Sequence, residues 1–146
     1  MVKVKIPLPP NTLYGGEAEW VWADDLGNGL YRVRNVPFFA KGLSYGDLIR
    51  AKLEDAVPEF SSIAEHSGHS TYRIYIRNDS GRQALDLLIQ DLRALRCDIE
   101  GATEKLMAVD VPSEVDVYKV YARLEKAEQE GIIDFQEGHC GHKLRT

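Results

Sequence analysis

The hydrophobic periodicity of the chain changes near Gly68, and this change constrains the fold more than any other feature of the sequence. Before Gly68, short apolar stretches alternate with polar residues and none keeps helical spacing. After it, strand-like and helix-like patterns follow one another. We therefore expect a mixed α+β chain with a β-rich half at residues 1–68 and a second half at residues 69–146, forming either one compact unit or two domains.

The first half contains at least four short strand patterns, which predict a small β-barrel or a meander. Glycines flank Asn28 and favour a hairpin turn at that position. Trp20 and Trp22 share one face of a strand, and we expect them in the barrel core or between the halves. The predicted strands are Glu19–Asp24, Leu30–Val36, Asp47–Leu53 and Phe60–His66. Pro58 is expected to separate the last two.

The second half shows the order strand, helix, strand, strand, helix, strand. This is the order of a ferredoxin-like βαββαβ unit, in which the first and last strands are antiparallel neighbours. The predicted segments are a strand at Tyr72–Arg77, a helix from Ser80 to Arg96, strands at Asp98–Ala102 and Lys105–Val111, a helix from Ser113 to Gly131, and a strand at Ile132–Gly138.

Charge and cysteine content exclude several classes of function. Among 146 residues, 18 basic and 23 acidic side chains give a formal net charge of −5, so we do not expect binding to nucleic acid or to an anionic membrane. Prolines interrupt the first ten residues before a secretory signal could form, and no apolar stretch is long enough to span a membrane. Two cysteines, Cys97 and Cys140, are typical of reduced thiols, which predicts a cytoplasmic protein.

All four histidines occur in two close pairs, His66 with His69 and His139 with His142, and the second pair encloses Cys140. Imidazole and thiolate groups at this spacing are typical zinc ligands. One pair precedes the first strand of the predicted ferredoxin-like sheet and the other follows its last strand, so both pairs should meet at one edge. The four histidines are therefore the candidate ligands of a zinc site, with Cys140 as a substitute ligand, although structural or exposed histidines are the more common case at such spacing.

Other interpretations of these histidines stay open. In the first, the histidines are structural or exposed groups that lie in a turn and at a chain terminus. In the second, one of them is a catalytic or pH-switching residue. If zinc binds, four protein ligands favour a structural clamp between the halves, and three ligands plus water favour hydrolysis. Glu65 and Glu137 then become candidates for a hydrogen-bond acceptor behind a ligand or for a general base.

A second candidate is the strand face that carries Arg73, Tyr75 and Arg77, because a four-stranded sheet of this kind can stack bases and hold phosphates. The net charge is unfavourable for RNA, and the first half of the chain could pack over this face.

Four blocks of sequence together resemble the bacterial family catalogued as domain of unknown function 4265. The blocks are LGNGLYRVRNVPFFAKGLSYGDLIRAK, EHSGHSTYRIYIR, CDIEGATEKLMAVDVP and EGHCGH, and the resemblance extends over roughly Trp20 to His142. It implies a bacterial protein of about this length and brings no activity, cofactor or catalytic residue with it.

We expect a small cytoplasmic binding or regulatory module with a protein partner, such as an immunity-type protein that caps a basic target. Edge strands in the first half would also allow a homodimer. The alternative is a metal-dependent hydrolase that uses the four histidines with Glu65 or Glu137 as the base. The sequence leaves open whether the protein is an enzyme.

Overall fold

A computed structural model describes residues 1–10, 16–77 and 82–145. These ranges contain nine strands and two helices, so the chain is mixed α+β as predicted. Ser80, the predicted start of the first helix, lies outside the described residues. In chain order the elements are β1 Val2–Pro7, β2 Ala18–Gly27, β3 Leu30–Val33, β4 Leu48–Glu54, β5 Val57–Glu65, β6 Ser70–Ile76, α1 Arg82–Ala94, β7 Asp98–Gly101, β8 Leu106–Val111, α2 Val117–Gln129 and β9 Ile133–His139.

Strands β1 to β5 form an irregular barrel in which each strand pairs with the next and β1 closes on β5. Because five strands alternate in direction, the first and last run the same way and the closing pair is parallel. The closure rests on one register pair, Lys5 opposite Glu59. The β4–β5 register also shifts at two positions. The barrel core contains Val4, Val21, Val33 and Ile49, among other residues.

Two-residue turns join two of the barrel hairpins. Asn28 and Gly29 have positive φ angles of 56° and 75°, which confirms the predicted turn between β2 and β3. Asp55 and Ala56 have φ angles of 51° and 67° between β4 and β5. No glycine marks this second turn, and Pro58 lies inside β5 instead of interrupting the strand pattern as expected.

The two tryptophans point away from the barrel core, so the prediction of core or interdomain indoles is wrong. Successive side chains of a strand lie on opposite faces, and Val21 and Ala23 occupy the inner face of β2. Trp20 and Trp22 therefore share the outer face, with 49% and 46% of their surface exposed. β1, which the sequence analysis did not predict, pairs with this part of β2.

Strands β6 to β9 form an antiparallel sheet in the order β7-β8-β6-β9. α1 and α2 pack on one face of it, around buried residues that include Ile74, Leu88 and Leu124. The predicted start of α2 at Ser113 is wrong, because the N-cap is Asp116, whose side chain accepts a hydrogen bond from the Tyr118 backbone N–H. The chain passes from barrel to sheet between Glu65 and Ser70, and the division into two domains stays a prediction.

The barrel packs on the sheet through the segment that joins β3 to β4. Glu19, a buried residue of β2, accepts hydrogen bonds from the backbone N–H groups of Phe38, Phe39 and Ala40 at 2.6, 3.0 and 2.8 Å. From the sheet, the Arg73 guanidinium donates to the Ala40 carbonyl. Since Arg73 is only 1% exposed, it does not belong to a nucleic-acid-binding surface.

Replacing Glu19 by alanine leaves three backbone N–H groups without their acceptor. We expect Glu19→Ala to lower the free energy of unfolding by roughly 2–4 kcal/mol, since buried unpaired donors are costly. Urea denaturation measures this change. Glu17→Ala, which removes an exposed carboxylate from the same stretch of chain, is the control and should change stability by no more than about 0.5 kcal/mol. Equal effects of the two substitutions would contradict the role of Glu19.

Candidate functional site

The histidines lie where β5, β6 and β9 come together. His66 follows β5, His69 precedes β6, and His139 ends β9. The rings of His66 and His139 stack with centroids 4.7 Å apart and planes 15° from parallel. One histidine of each predicted pair therefore meets a histidine of the other pair.

Asp47 holds this region to the barrel. Its carboxylate is fully buried and accepts the backbone N–H groups of Ser44 at 2.9 Å and Ser67 at 2.8 Å. The Nδ1 atom of His66 lies 3.4 Å from an oxygen of the same carboxylate. Asp47 therefore fixes the chain at the passage between the two sheets.

His69 forms a separate pair with Asp110. Its Nδ1 atom lies 2.8 Å from Oδ1 of this nearly fully buried carboxylate. Burial raises the pKa of Asp110, and the hydrogen bond from His69 opposes that rise. A carboxylate at Nδ1 orients an imidazole as in many general bases, so this pair has the form of a proton-transfer group.

His142 is fixed by hydrogen bonds at both ring nitrogens. Nδ1 lies 2.6 Å from Ser70 Oγ, and Nε2 lies 2.9 Å from the Pro112 carbonyl oxygen. Since a carbonyl only accepts, Nε2 carries the proton and Nδ1 accepts from the serine hydroxyl. Gly141 packs against the His69 carbonyl so closely that any side chain at this position would collide with it. His142 therefore anchors the chain after β9 to the start of β6.

The four histidines thus form three separate arrangements: the His66–His139 stack, the His69–Asp110 pair and His142. Within the described ranges, which include all four histidines and both cysteines, no group of three or more His, Cys, Asp or Glu residues is placed to hold a metal ion. The Cys140 Sγ atom is 3.6 Å from the His142 carbonyl oxygen. Glu65 and Glu137, the proposed bases, are both exposed. The zinc site remains a prediction.

A different surface lies on the outside of the barrel, where β1 and β2 pair. Lys3 is opposite Trp22 and Lys5 is opposite Trp20 in the register. The Nζ atom of Lys3 lies 5.1 Å from the centroid of the Trp22 ring, a cation–π contact. These four residues form the tryptophan–lysine face.

A groove of about 900 Å³ opens between the barrel and the second sheet, and we call it the junction groove. Phenylalanines from the barrel and from the β3–β4 segment form much of its apolar wall. Neither this groove nor a smaller one of about 440 Å³ beside it has a histidine in its wall. The junction groove is lined by Ile6, Pro7, Leu8, Pro9, Phe38, Phe39, Ala40, Lys41, Phe60, Arg73, Tyr75, Asp134, Phe135 and Gln136.

Sequence reasoning identified the histidines but not the carboxylates that hold them. Asp110 could have been found, because it is the one charged residue of the otherwise apolar strand LMAVDV. A charge in a strand of this kind is rarely buried without a partner. Asp47 carries no comparable signal, since it follows a turn glycine as many exposed aspartates do.

Comparison with known proteins identifies relatives without an assigned activity. The model of the family described as Domain of unknown function (DUF4265) matches residues 19–135. No curated protein matches the chain. A solved structure titled as that of a hypothetical protein from Neisseria gonorrhoeae is similar, with a TM-score of 0.81 and 18% identity over 97% of this chain and 96% of that one. At this identity the likeness shows the fold.

Neither of the helices in the described part of the chain is long enough and apolar enough to cross a membrane.

The predicted zinc site is tested by elemental analysis of protein purified without a histidine tag. A site that uses all four histidines should hold about one equivalent of zinc. The double substitution His69→Ala and His142→Ala should then remove the metal. Zinc-free wild-type protein after incubation with excess zinc and desalting would refute the site.

The stacked histidines should make stability depend on pH. Burial, and after it the neighbouring His66, lower the pKa of His139 from its ordinary value of 6.5, while Asp47 and Glu137 act in the opposite direction. Because the folded protein then binds this proton less readily than the unfolded chain, the free energy of unfolding falls as the pH drops below 6.5.

His139→Phe keeps an aromatic ring against His66 and removes the titrating group. We expect its urea midpoint to fall less than that of the wild type between about pH 7.5 and about pH 5.5. An identical fall in both proteins would show that His139 does not contribute to the pH dependence.

Proposed function

We propose that this chain, which belongs to the DUF4265 family, is a protein-binding module that docks an acidic segment of another protein on its tryptophan–lysine face. The observation that carries the proposal is the exposure of Trp20 and Trp22 side by side on the outside of the barrel. They are the only two tryptophans of the chain.

Exposed indoles at adjacent outward positions favour a binding surface. Tryptophan is highly buried on average, and a group of large apolar side chains on the surface marks an interaction site more often than chance placement. Tryptophan is also enriched among the residues that contribute most to protein–protein affinity. The cation–π contact of Lys3 holds the Trp22 ring without covering it, since nearly half of the residue remains exposed.

The charge of the face favours a different protein over a second copy of this chain. A twofold dimer places the same patch on both sides of the interface, so Lys3 and Lys5 would face the same two lysines of the other copy. Carboxylates on another protein would instead complement the ammonium groups, that of Lys3 above all, because Lys5 lies opposite Glu59 in the β1–β5 register. If the chain is an immunity-type protein, this face would therefore cap an acidic target, and not the basic target that the net charge suggested.

Nucleic acid is a weaker candidate for the same face. The net charge of −5 opposes the approach of a polyphosphate. At the edge of the face, Asp24 already binds Arg34 in an ion pair of 2.6 Å, so that arginine is not free to bind phosphate.

We also propose that the second half is ferredoxin-like, on the basis of its element order and the sheet order β7-β8-β6-β9. Two free thiols, Cys97 and Cys140, support a cytoplasmic location. Nothing among the described residues favours the metal-dependent hydrolase: both ring nitrogens of His142 are hydrogen-bonded, and no three metal-ligating side chains come together there.

The proposal predicts a partner whose binding depends on both indoles. Immobilised wild-type protein and the Trp20→Ser, Trp22→Ser double variant are exposed to an extract of the cells that encode the chain. A protein retained in stoichiometric amount by the wild type is identified, purified and titrated. We expect at least a tenfold loss of affinity in the double variant, because truncation of an aromatic anchor commonly costs about 2 kcal/mol or more.

Leu53→Ser is the matched control, since it removes another exposed apolar side chain of the barrel, near the end of β4 and away from the tryptophan–lysine face. It should bind the partner as the wild type does. The partner should also shift the tryptophan emission of the wild type to shorter wavelength, because binding removes water from both indoles. Equal affinity of the wild type and the double variant would overturn the proposal. So would a concentration-dependent dimer that the double variant abolishes, or Trp-dependent binding of polyuridylate.

A further inference from the structure

The junction groove has the size and the lining of a small-molecule site. Its volume of about 900 Å³ lies within the range of ligand pockets. Phe38 and Phe39 enter from the β3–β4 segment and Phe60 from β5, while Leu8 follows β1. The second sheet adds Arg73, Tyr75 and Gln136 to the lining, so the packing of the barrel on the sheet creates the groove.

Arg73 contributes a buried positive charge to the wall of this groove. Its guanidinium donates to the Ala40 carbonyl, but its Nε atom is buried with no hydrogen-bond partner. The group lies so close to Gly138 that a side chain there would press on it. An arginine held in this way does not contact a ligand directly, because it is only 1% exposed, but its positive charge makes this part of the wall favourable to an anion.

The acidic groups near Arg73 already have other partners. Glu19 accepts the three backbone N–H groups of residues 38–40. Asp134, in the groove wall, lies 3.4 Å from the Nε atom of Arg77. Lys41 adds a second positive charge to the wall, and its side chain is exposed. The lining therefore combines apolar walls with an excess of positive charge.

We propose that the junction groove binds a small molecule with an apolar body and one carboxylate, such as a medium-chain fatty acid. The apolar body packs on the phenylalanines, and the carboxylate lies towards Arg73 and Lys41. This site shares no residue with the tryptophan–lysine face, so it is independent of the proposed protein-binding function.

The probes are dodecanoate and, as a neutral match of the same chain length, dodecanol. Binding is followed by displacement of the fluorescent apolar anion anilinonaphthalene sulfonate from the purified protein, below the concentration at which dodecanoate forms micelles. We expect dodecanoate to bind at least tenfold more tightly than dodecanol, since a charge-assisted pair with Lys41, reinforced by the charge of Arg73, is worth about 1.5–3 kcal/mol.

Lys41→Glu reverses the exposed charge in the groove wall without touching the core. We expect it to weaken dodecanoate binding at least fivefold and to leave dodecanol binding unchanged. Lys52→Glu makes the same charge change on an exposed part of β4 that does not line the groove, and it should have no effect. The Trp20→Ser, Trp22→Ser variant should also bind dodecanoate normally, which separates this site from the proposed protein-binding face.

Three results would overturn the site. They are failure of dodecanoate to displace the fluorophore, equal affinity for dodecanoate and dodecanol, and an equal loss of binding in Lys41→Glu and Lys52→Glu. Because both lysine variants change only exposed side chains, their thermal midpoints should match that of the wild type. Loss of binding with an unchanged midpoint is then an effect on the site and not on the fold.

Discussion

The relation between the two sheets depends on how the buried backbone of residues 36–47 is hydrogen-bonded. This segment lies between barrel and sheet, and side chains supply hydrogen bonds that no strand partner provides. Glu19 binds three of its N–H groups, Arg73 binds the Ala40 carbonyl, and Asp47 binds the N–H of Ser44. Unpaired buried peptide groups are rare because they cost nearly as much as a lost hydrogen bond. Glu100 of the second sheet accepts the Val36 N–H, and Gly42 donates to the Gly138 carbonyl of β9. These contacts together fix how the two sheets pack.

The segment of residues 36–47 also supports both the junction groove and the region of the stacked histidines. Around Ala40 it forms a wall of the junction groove. Closer to β4, Ser44 Oγ lies 2.7 Å from Thr71 Oγ1, and Asp47 reaches Ser67 and His66. A displacement of the segment would therefore alter both the groove and the stacked histidines.

Periodicity in the sequence predicted most elements of both halves, but it was weaker at deciding which way a side chain points. The period of two placed Trp20 and Trp22 correctly on one face of β2, yet the pattern alone does not say which face is inside. The inner face of β2 becomes clear only when β2 is paired with its neighbours, including β1. The alternation in VKVKIP was not interpreted as a strand because several prolines follow it. The histidine pairs met near one edge because strand order determines where strand ends lie, whereas the partners Asp47 and Asp110 depend on side-chain packing.

The molecule buries several charges and exposes both of its indoles, the reverse of the usual preference of these groups. The buried charges have a structural explanation, because Glu19, Asp47 and Arg73 bind backbone groups that would otherwise lack partners. The indoles have no corresponding role, since β2 fills its inner face with Val21 and Ala23 and would pair with β1 whatever its outward residues were. Fold stability therefore accounts for the charges and leaves the tryptophans unexplained. A partner that covers them would account for their position.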